Sequence, residues 1–294
     1  MYLIFLMYAL LASTFAFGKL LIGLIPPIFL ISLRMIIAGT MLLVFSYVFD
    51  QKQSIKSSDW WLFCTVILFH ILIPFTTEYI ALQSISPSNA CLLYNLSPFF
   101  SALCSYIIFQ EKMTLKKWIG FCIGIIGILF YLQSQCCFDI SFSWPNVLML
   151  ISVMTSSIGW IFFRVLVKNR NYPSIMINGL SMFISGFIAL PISRFFEGSV
   201  IVNLSHIPQI IALVGATILI TNIIFYNLYG YLLKYYTATF LSFVGFVTPL
   251  FAAFFEWIFI GTTVPHEFFL TIAIVGAGIY IFYQEELKQG YIIQ

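Results

Sequence analysis

The chain has 294 residues, 62% of them hydrophobic and 8% charged, with a mean hydropathy of +1.05 and a formal net charge of +3. An ordinary soluble domain is about 25% charged, so no water-surrounded globule can bury this much apolar surface and the solvent is lipid. The small positive charge forms no basic patch of the kind that tracks phosphates, so a nucleic-acid partner is not expected.

In chain order, the apolar runs predict helices over roughly 2–21, 26–48, 60–83, 88–109, 116–133, 146–168, 174–193, 207–232, 237–260 and 267–284, each near the ~20 residues that span a bilayer. The first run has no positive residue before Lys19 and no small-x-small cleavage site, so it reads as a spanning helix and not a cleaved signal. Trp60, Trp61, Trp118, Trp144 and Trp257 fall near predicted helix ends, as in aromatic belts. Cys64, Cys91, Cys104 and Cys122 lie in apolar segments, where cysteine is a small hydrophobe. Cys136 and Cys137 are adjacent and match no zinc spacing, so neither a disulfide nor a metal site is expected. No cofactor is expected either.

Lysine and arginine set the orientation. With the N-terminus inside, Lys52, Lys56, Lys112, Lys116, Lys117, Lys168, Arg170, Lys234 and Lys288 all fall on the cytoplasmic side, and Arg164 lies one turn from it, within snorkelling reach. Lys19 and Arg194 fall at outer ends, and Arg34 lies within the second helix. The segment from Glu78 to Leu129 also overlays the one beginning at Tyr229 without a gap, placing Pro98 on Pro249, Phe100 on Phe251, Ala102 on Ala253 and Gly127 on Gly278, an offset of 151. So long a period marks a duplicated half. Five helices per half is an odd number, so the second half enters the membrane from the opposite side. The expected fold is an all-α membrane protein of ten transmembrane helices, built as two inverted five-helix repeats over 1–134 and 145–285 with a short cytoplasmic tail, 286–294. Sites in such repeats lie near the midplane where the halves meet.

Ionisable residues inside the membrane are costly and so are candidate functional groups. Arg34 and Glu78 lie at similar depths, roughly 8 to 12 Å from the outer end. They form either a structural ion pair or, on the sharper reading, a cavity in which Glu78 meets a cation or takes up a proton. Glu256 sits about one turn from an outer end and reads as a snorkelling residue. His70 reads as hydrogen-bonded between helices, with a proton relay as the alternative. Asn89, Asn95, Asn222 and Asn227, with Tyr79, Tyr94, Tyr226 and Tyr229, either join helices or face a cavity. Pro98 and Pro249 repeat at matching positions, as packing kinks or as a shared hinge. Gly120, Gly124, Gly127, Gly276 and Gly278 let helices approach closely, as scaffold or as the contacts of a homodimer.

The Ala81-Leu82 pair, the small residues Ser88 and Ala90, Pro98, the Phe109-Gln110-Glu111-Lys112 turn with Thr114, and the glycine face Gly120, Gly124 and Gly127 together resemble the EamA-type module of the drug/metabolite transporter superfamily. The resemblance covers nearly the whole chain, as two halves. The second half departs from it where Gly261-Thr262 stands in place of Gln110-Glu111. It implies that helices 3, 4, 8 and 9 line a central cavity. Rings, amides and a carboxylate there suit a small amphipathic metabolite with a positive group.

Other classes fit less well. His266-Glu267 is followed by Leu270, so zinc-protease spacing fails. Gly18-Lys19 lacks the upstream glycine of a P-loop, Glu285-Glu286 lies in the tail without a partner motif, and the duplication argues for a carrier over a channel. The resemblance therefore implies an alternating-access carrier in a bacterial inner membrane and not an enzyme. Its partners would be a small-molecule substrate and the bilayer. The substrates that the resemblance implies are amino acids and their derivatives, nucleotide-like metabolites and S-adenosylmethionine, and the abundance of Phe (33) and Tyr (16), residues of the A/T-rich codons common in host-restricted bacteria that import metabolites, tilts the expectation among them towards uptake or exchange of S-adenosylmethionine or an amino acid. Proton-coupled export of amino acids or drugs is the alternative.

Overall fold

A computed structural model describes residues 2–49, 53–85, 90, 93–134, 143–198, 206–251, 254 and 266–291, and these residues are helical throughout apart from short turns. Among the described residues, helices α1 (Tyr2–Ile22), α2 (Pro27–Val48), α3 (Ser57–Leu82), α4 (Ser97–Phe109) and α5 (Leu115–Ser134) lie in the N-terminal half of the chain. Helices α6 (Trp144–Asn169), α7 (Ser174–Phe196), α8 (Ile207–Leu232), α9 (Ala238–Phe251) and α10 (His266–Lys288) lie in the C-terminal half. By length and composition, six helices among the described residues can cross a bilayer: α2, α3, α6, α7, α8 and the Phe268–Lys288 part of α10.

Prolines open the helices, where a missing N–H costs nothing. Pro27, Pro98, Pro145 and Pro208 all stand in a first turn. Thr237 caps α9 by accepting from Phe240 N at 3.0 Å, and Gln110 ends α4 in the left-handed conformation, φ 56°. The N-terminus of α2 is capped from elsewhere in the chain. Ile28 N and Phe29 N donate to the two carboxylate oxygens of Glu197 at 2.7 and 2.9 Å, which sets a negative charge at the positive end of the helix dipole.

Close helix pairs are built on glycine. A Cβ at Gly39 would lie 2.4 Å from Phe183 N, so α2 and α7 touch backbone to backbone. On α5 and α10, a Cβ at Gly120 would meet Gly278 O at 2.8 Å, and one at Gly127 would meet Ile274. Gly124 lies against Phe243 and Phe246 of α9. Gly276 departs from the scaffold reading alone: it faces open space among the described residues, because it lies 200° around the helix from Gly278.

Two irregularities recur at the repeat offset. A π turn starts at Ile67 in α3 and another at Ile218 in α8. Asn95 and Leu96 form a turn just before α4, and Gly245–Val247 form a 3-10 turn in α9. Each break lies just before the proline of its half, Pro98 or Pro249. The helix expected to run unbroken over 88–109 is therefore interrupted, and Pro98 is the second residue of α4 and not a mid-helix kink. Residues 86–89, with Asn89, lie outside the described residues, as do Glu256, Cys136 and Cys137.

Every ion pair among the described residues joins the first half to the second. Lys117 Nζ meets Glu286 at 2.5 Å, Arg164 meets Glu111 at 2.5 Å, and Arg170 meets Asp59 at 3.3 Å. All lie at one end of the bundle, where the α2–α3, α4–α5, α6–α7 and α8–α9 connections gather. Glu286 also accepts from Thr237 Oγ1 at 2.7 Å, and Tyr172 OH donates to Asp59 at 2.9 Å. Two readings of the sequence change here. Lys117 and Arg164 are buried partners and not surface or snorkelling charges, and Glu286 lies within α10, fully buried.

Candidate functional site

A cavity of about 130 Å³, room for several waters, lies at the junction of the halves. Its walls come from α1, α2, α3, the Tyr94–Ser97 segment, α6, α8 and α9. Among the described residues, α5, α7 and α10 contribute nothing to it. Four pairs of lining residues stand 151 positions apart in the sequence. Phe75 and Tyr226, Glu78 and Tyr229, Tyr94 and Gly245, and Ser97 and Thr248 are pairs at the offset of 151, and both members of each pair line the cavity.

Of the residues singled out from sequence, Arg34, Glu78, Tyr79, Tyr94, Asn95, Tyr226 and Tyr229 line the cavity. Glu78 accepts a hydrogen bond from Tyr94 OH at 2.8 Å. Tyr94 in turn lies 3.4 Å from Ser152 Oγ, which donates to the Pro74 carbonyl at 2.9 Å. Glu78 is thus held by a chain that runs from the Tyr94–Ser97 segment through α6 back to its own helix. Asn95 adds a donor, since its buried Nδ2 has no protein acceptor among the described residues.

Arg34, 2% exposed, is fixed from three sides. Its Nε donates to Asn222 Oδ1 at 2.9 Å, its Nη1 donates to Tyr79 OH, and its guanidinium carbon stands 5.1 Å from the centre of the Phe75 ring. A guanidinium stacked on an aromatic face is in favourable cation–π contact. Arg34 and Glu78 are not an ion pair, since the three ion pairs among the described residues all lie elsewhere. Both charges face the same cavity without neutralising one another directly.

Two expected site residues lie off the cavity. Asn222 is fully buried behind Arg34, with its amide against the sulfurs of Met35 and Met182 at 3.4 and 3.7 Å. It therefore acts on the cavity through Arg34. Asn227 accepts from Asn178 at 3.0 Å and donates to the Ile223 carbonyl of its own helix at 2.8 Å. The π turn in α8 turns this side chain towards α7. His70 is fully buried between helices, its ring turned towards Asn178 of α7 but with no hydrogen bond of ordinary length to either ring nitrogen among the described residues. It is enclosed by Trp160, Tyr226 and Phe163, with ring centres at 4.1, 5.0 and 5.2 Å.

Sequence reasoning missed the contributions of α1 and α6. Tyr8 and Thr14 line the cavity from α1, and Tyr8 OH donates to the Leu241 carbonyl of α9 at 2.6 Å. Trp160 lines it from α6, with ring centres 3.9 Å from Tyr229 and 5.2 Å from Tyr226. The available signal was its position, because Trp160 is the tryptophan that does not fall near a predicted helix end. The cavity thus offers a fixed cation, a fixed carboxylate, and a wall of rings from α6 and α8. Among the described residues no group of three histidine, cysteine or acidic side chains is placed to hold a metal.

The sequence profile described as the EamA-like transporter family matches residues 1–133 and 143–284. The chain is 33% identical over 300 residues to a protein of Chlamydia muridarum named S-adenosylmethionine/S-adenosylhomocysteine transporter, covering 99% of this chain and 94% of that one. A protein of the same name from Chlamydia trachomatis serovar D is 32% identical, over 99% of this chain and 91% of that one. The uncharacterized inner membrane transporter YedA of Escherichia coli K12 is 23% identical, over 95% and 87%. One crystal structure superposes with a TM-score of 0.74 over 98% of this chain and 96% of the other, at 16% identity, which speaks to the fold alone.

Proposed function

The chain belongs to the EamA-like transporter family and is a multi-pass membrane carrier, and from that premise we propose that it exchanges S-adenosylmethionine for S-adenosylhomocysteine across a bacterial inner membrane. The observation that carries this reading is the cavity between the halves, in which a carboxylate that forms no ion pair among the described residues faces a wall of aromatic rings. That wall suits a sulfonium and a purine. The full-length relatives that bear those two substrates in their names support it.

The mechanism we infer is alternating access by ten crossings, five per half, in inverted repeats with both termini in the cytoplasm. The lysine and arginine bias supports the orientation. The recurrence of the π turns and of the breaks before Pro98 and Pro249 supports the two-fold relation and makes these breaks the natural hinges. On this orientation the three inter-half ion pairs hold the cytoplasmic end together. The chain acts as a carrier and not as an enzyme, and needs no cofactor. Gly120 and Gly278 are occupied in the α5–α10 contact, so a homodimer would use other surface.

Radiolabelled S-adenosylmethionine uptake into cells that lack their own carrier tests the reading, with an uncoupler and with S-adenosylhomocysteine preloaded inside. The expected result is saturable uptake that survives the uncoupler and is accelerated by preloading. Uptake abolished by the uncoupler would favour proton coupling at Glu78, and no uptake at all would reject the substrate.

A further inference from the structure

We propose that Arg34 and Glu78 together receive the zwitterionic α-amino acid head of the transported molecule, Arg34 holding the α-carboxylate and Glu78 the α-ammonium. The assignment rests on the exchange reading above, and it names which part of the substrate each charge takes.

The argument starts from charge compensation. Arg34 and Glu78 both line one cavity, and they are not ion-paired with each other or with any other described residue. A buried ion left without a counter-charge is strongly unfavourable. A ligand carrying a single charge would satisfy one of the two and leave the other. A zwitterion, with opposite charges a few bonds apart, satisfies both at once.

The hydrogen bonding points the same way. Arg34 uses Nε on Asn222 and Nη1 on Tyr79, and among the described residues Nη2 has no acceptor. The guanidinium is therefore locked in orientation with donors to spare, the arrangement that suits a carboxylate. Glu78 spends one oxygen on Tyr94 and keeps acceptor capacity for an ammonium. Asn95 Nδ2, buried without a partner among the described residues, is a further donor at the same cavity. The remaining positive group of the substrate, its sulfonium, falls to the rings of Trp160, Tyr226 and Tyr229. Because the amino acid head is common to the methylated and demethylated forms, a site that reads the head accepts both, as an exchanger requires.

The test is competition against labelled S-adenosylmethionine uptake by the full-length chain in proteoliposomes, using S-adenosylhomocysteine, decarboxylated S-adenosylmethionine and 5′-methylthioadenosine. The decarboxylated analogue keeps the ammonium and the sulfonium, and 5′-methylthioadenosine lacks the whole head. Loss of hydrogen bonds to a charged group predicts that the decarboxylated analogue competes about 10- to 100-fold more weakly than S-adenosylhomocysteine in the wild type. Arg34→Gln should erase that difference, and Arg34→Lys should restore part of it. Equal competition by the decarboxylated and intact compounds in the wild type overturns the assignment while leaving the carrier reading intact, and it needs no variant to fold. Absence of any uptake of intact S-adenosylmethionine by the wild type overturns the exchange reading and the assignment with it.

Discussion

Replacing Lys117 by methionine isolates one buried charge. Lys117 and Glu286 are 2% and 1% exposed in their side chains and 2.5 Å apart, and the Lys117 ammonium also stands 5.4 Å from the Phe282 ring centre. Methionine keeps the volume and the helix propensity, so packing on α5 is conserved. What remains is Glu286 with one hydrogen bond from Thr237 and no other ion-pair partner among the described residues. Removing one member of a buried pair costs about 3–5 kcal/mol. Lys117→Met with Glu286→Leu removes both charges and should recover most of that loss, because the desolvation penalty disappears with the pair. Lys116, one residue away and exposed, provides the control, and Lys116→Met should change stability by less than about 0.5 kcal/mol. The assay is the apparent melting temperature of the detergent-solubilised protein. A single Lys117→Met variant as stable as wild type, or a Lys116→Met variant equally damaged, would refute the reasoning and return Lys117 to a role in topology alone.

Three further outcomes are expected. Glu78→Gln should leave the protein folded in the membrane and lower substrate uptake at least tenfold, since an amide holds an ammonium without a charge; wild-type uptake rates would remove Glu78 from the mechanism. Gly39→Ala should cost about 1–3 kcal/mol or prevent folding, because its Cβ would strike the backbone of Phe183, whereas Gly276→Ala should be neutral or slightly stabilising; paired thermal melts distinguish the two. Trp160→Ala should weaken uptake by more than its effect on stability explains, which saturation kinetics on the surviving folded protein would reveal.

Much of the architecture was legible because lipid imposes it. Where both ends lie among the described residues, length and hydropathy located the helices to within a few residues, with the break before Pro98 the main exception. The glycines at 120, 124, 127 and 278 declared their contacts through helical spacing, and spacing alone already set Gly276 on a different face. The cavity was half legible. Glu78, Arg34 and Tyr94 were visible as polar groups too costly to face lipid. The partners of Lys117, Arg164 and Glu111 were not, because each pair joins positions more than 50 residues apart and no local pattern encodes it. Asn222 and Asn227 could not be sorted between joining helices and facing the cavity, because their side chains lie in and just beyond the π turn at Ile218–Phe225, which the sequence does not announce; both join helices.

That turn and its counterpart in α3 make the cavity depend on arithmetic as well as chemistry. One extra residue per turn rotates everything beyond it by about 100° relative to an unbroken α-helix. Leu68 in the α3 turn is 40% exposed and should tolerate substitution by another apolar residue. Deleting it should be tolerated too, because the loss of the extra residue closes the π turn to an α turn and leaves Phe75, Glu78 and Tyr79 in register. Inserting one residue beside it keeps every lining side chain in the sequence yet turns all three by about 100° away from Tyr94 and Arg34, and uptake by the insertion variant beside Leu68→Ile measures how much of the site is written as spacing.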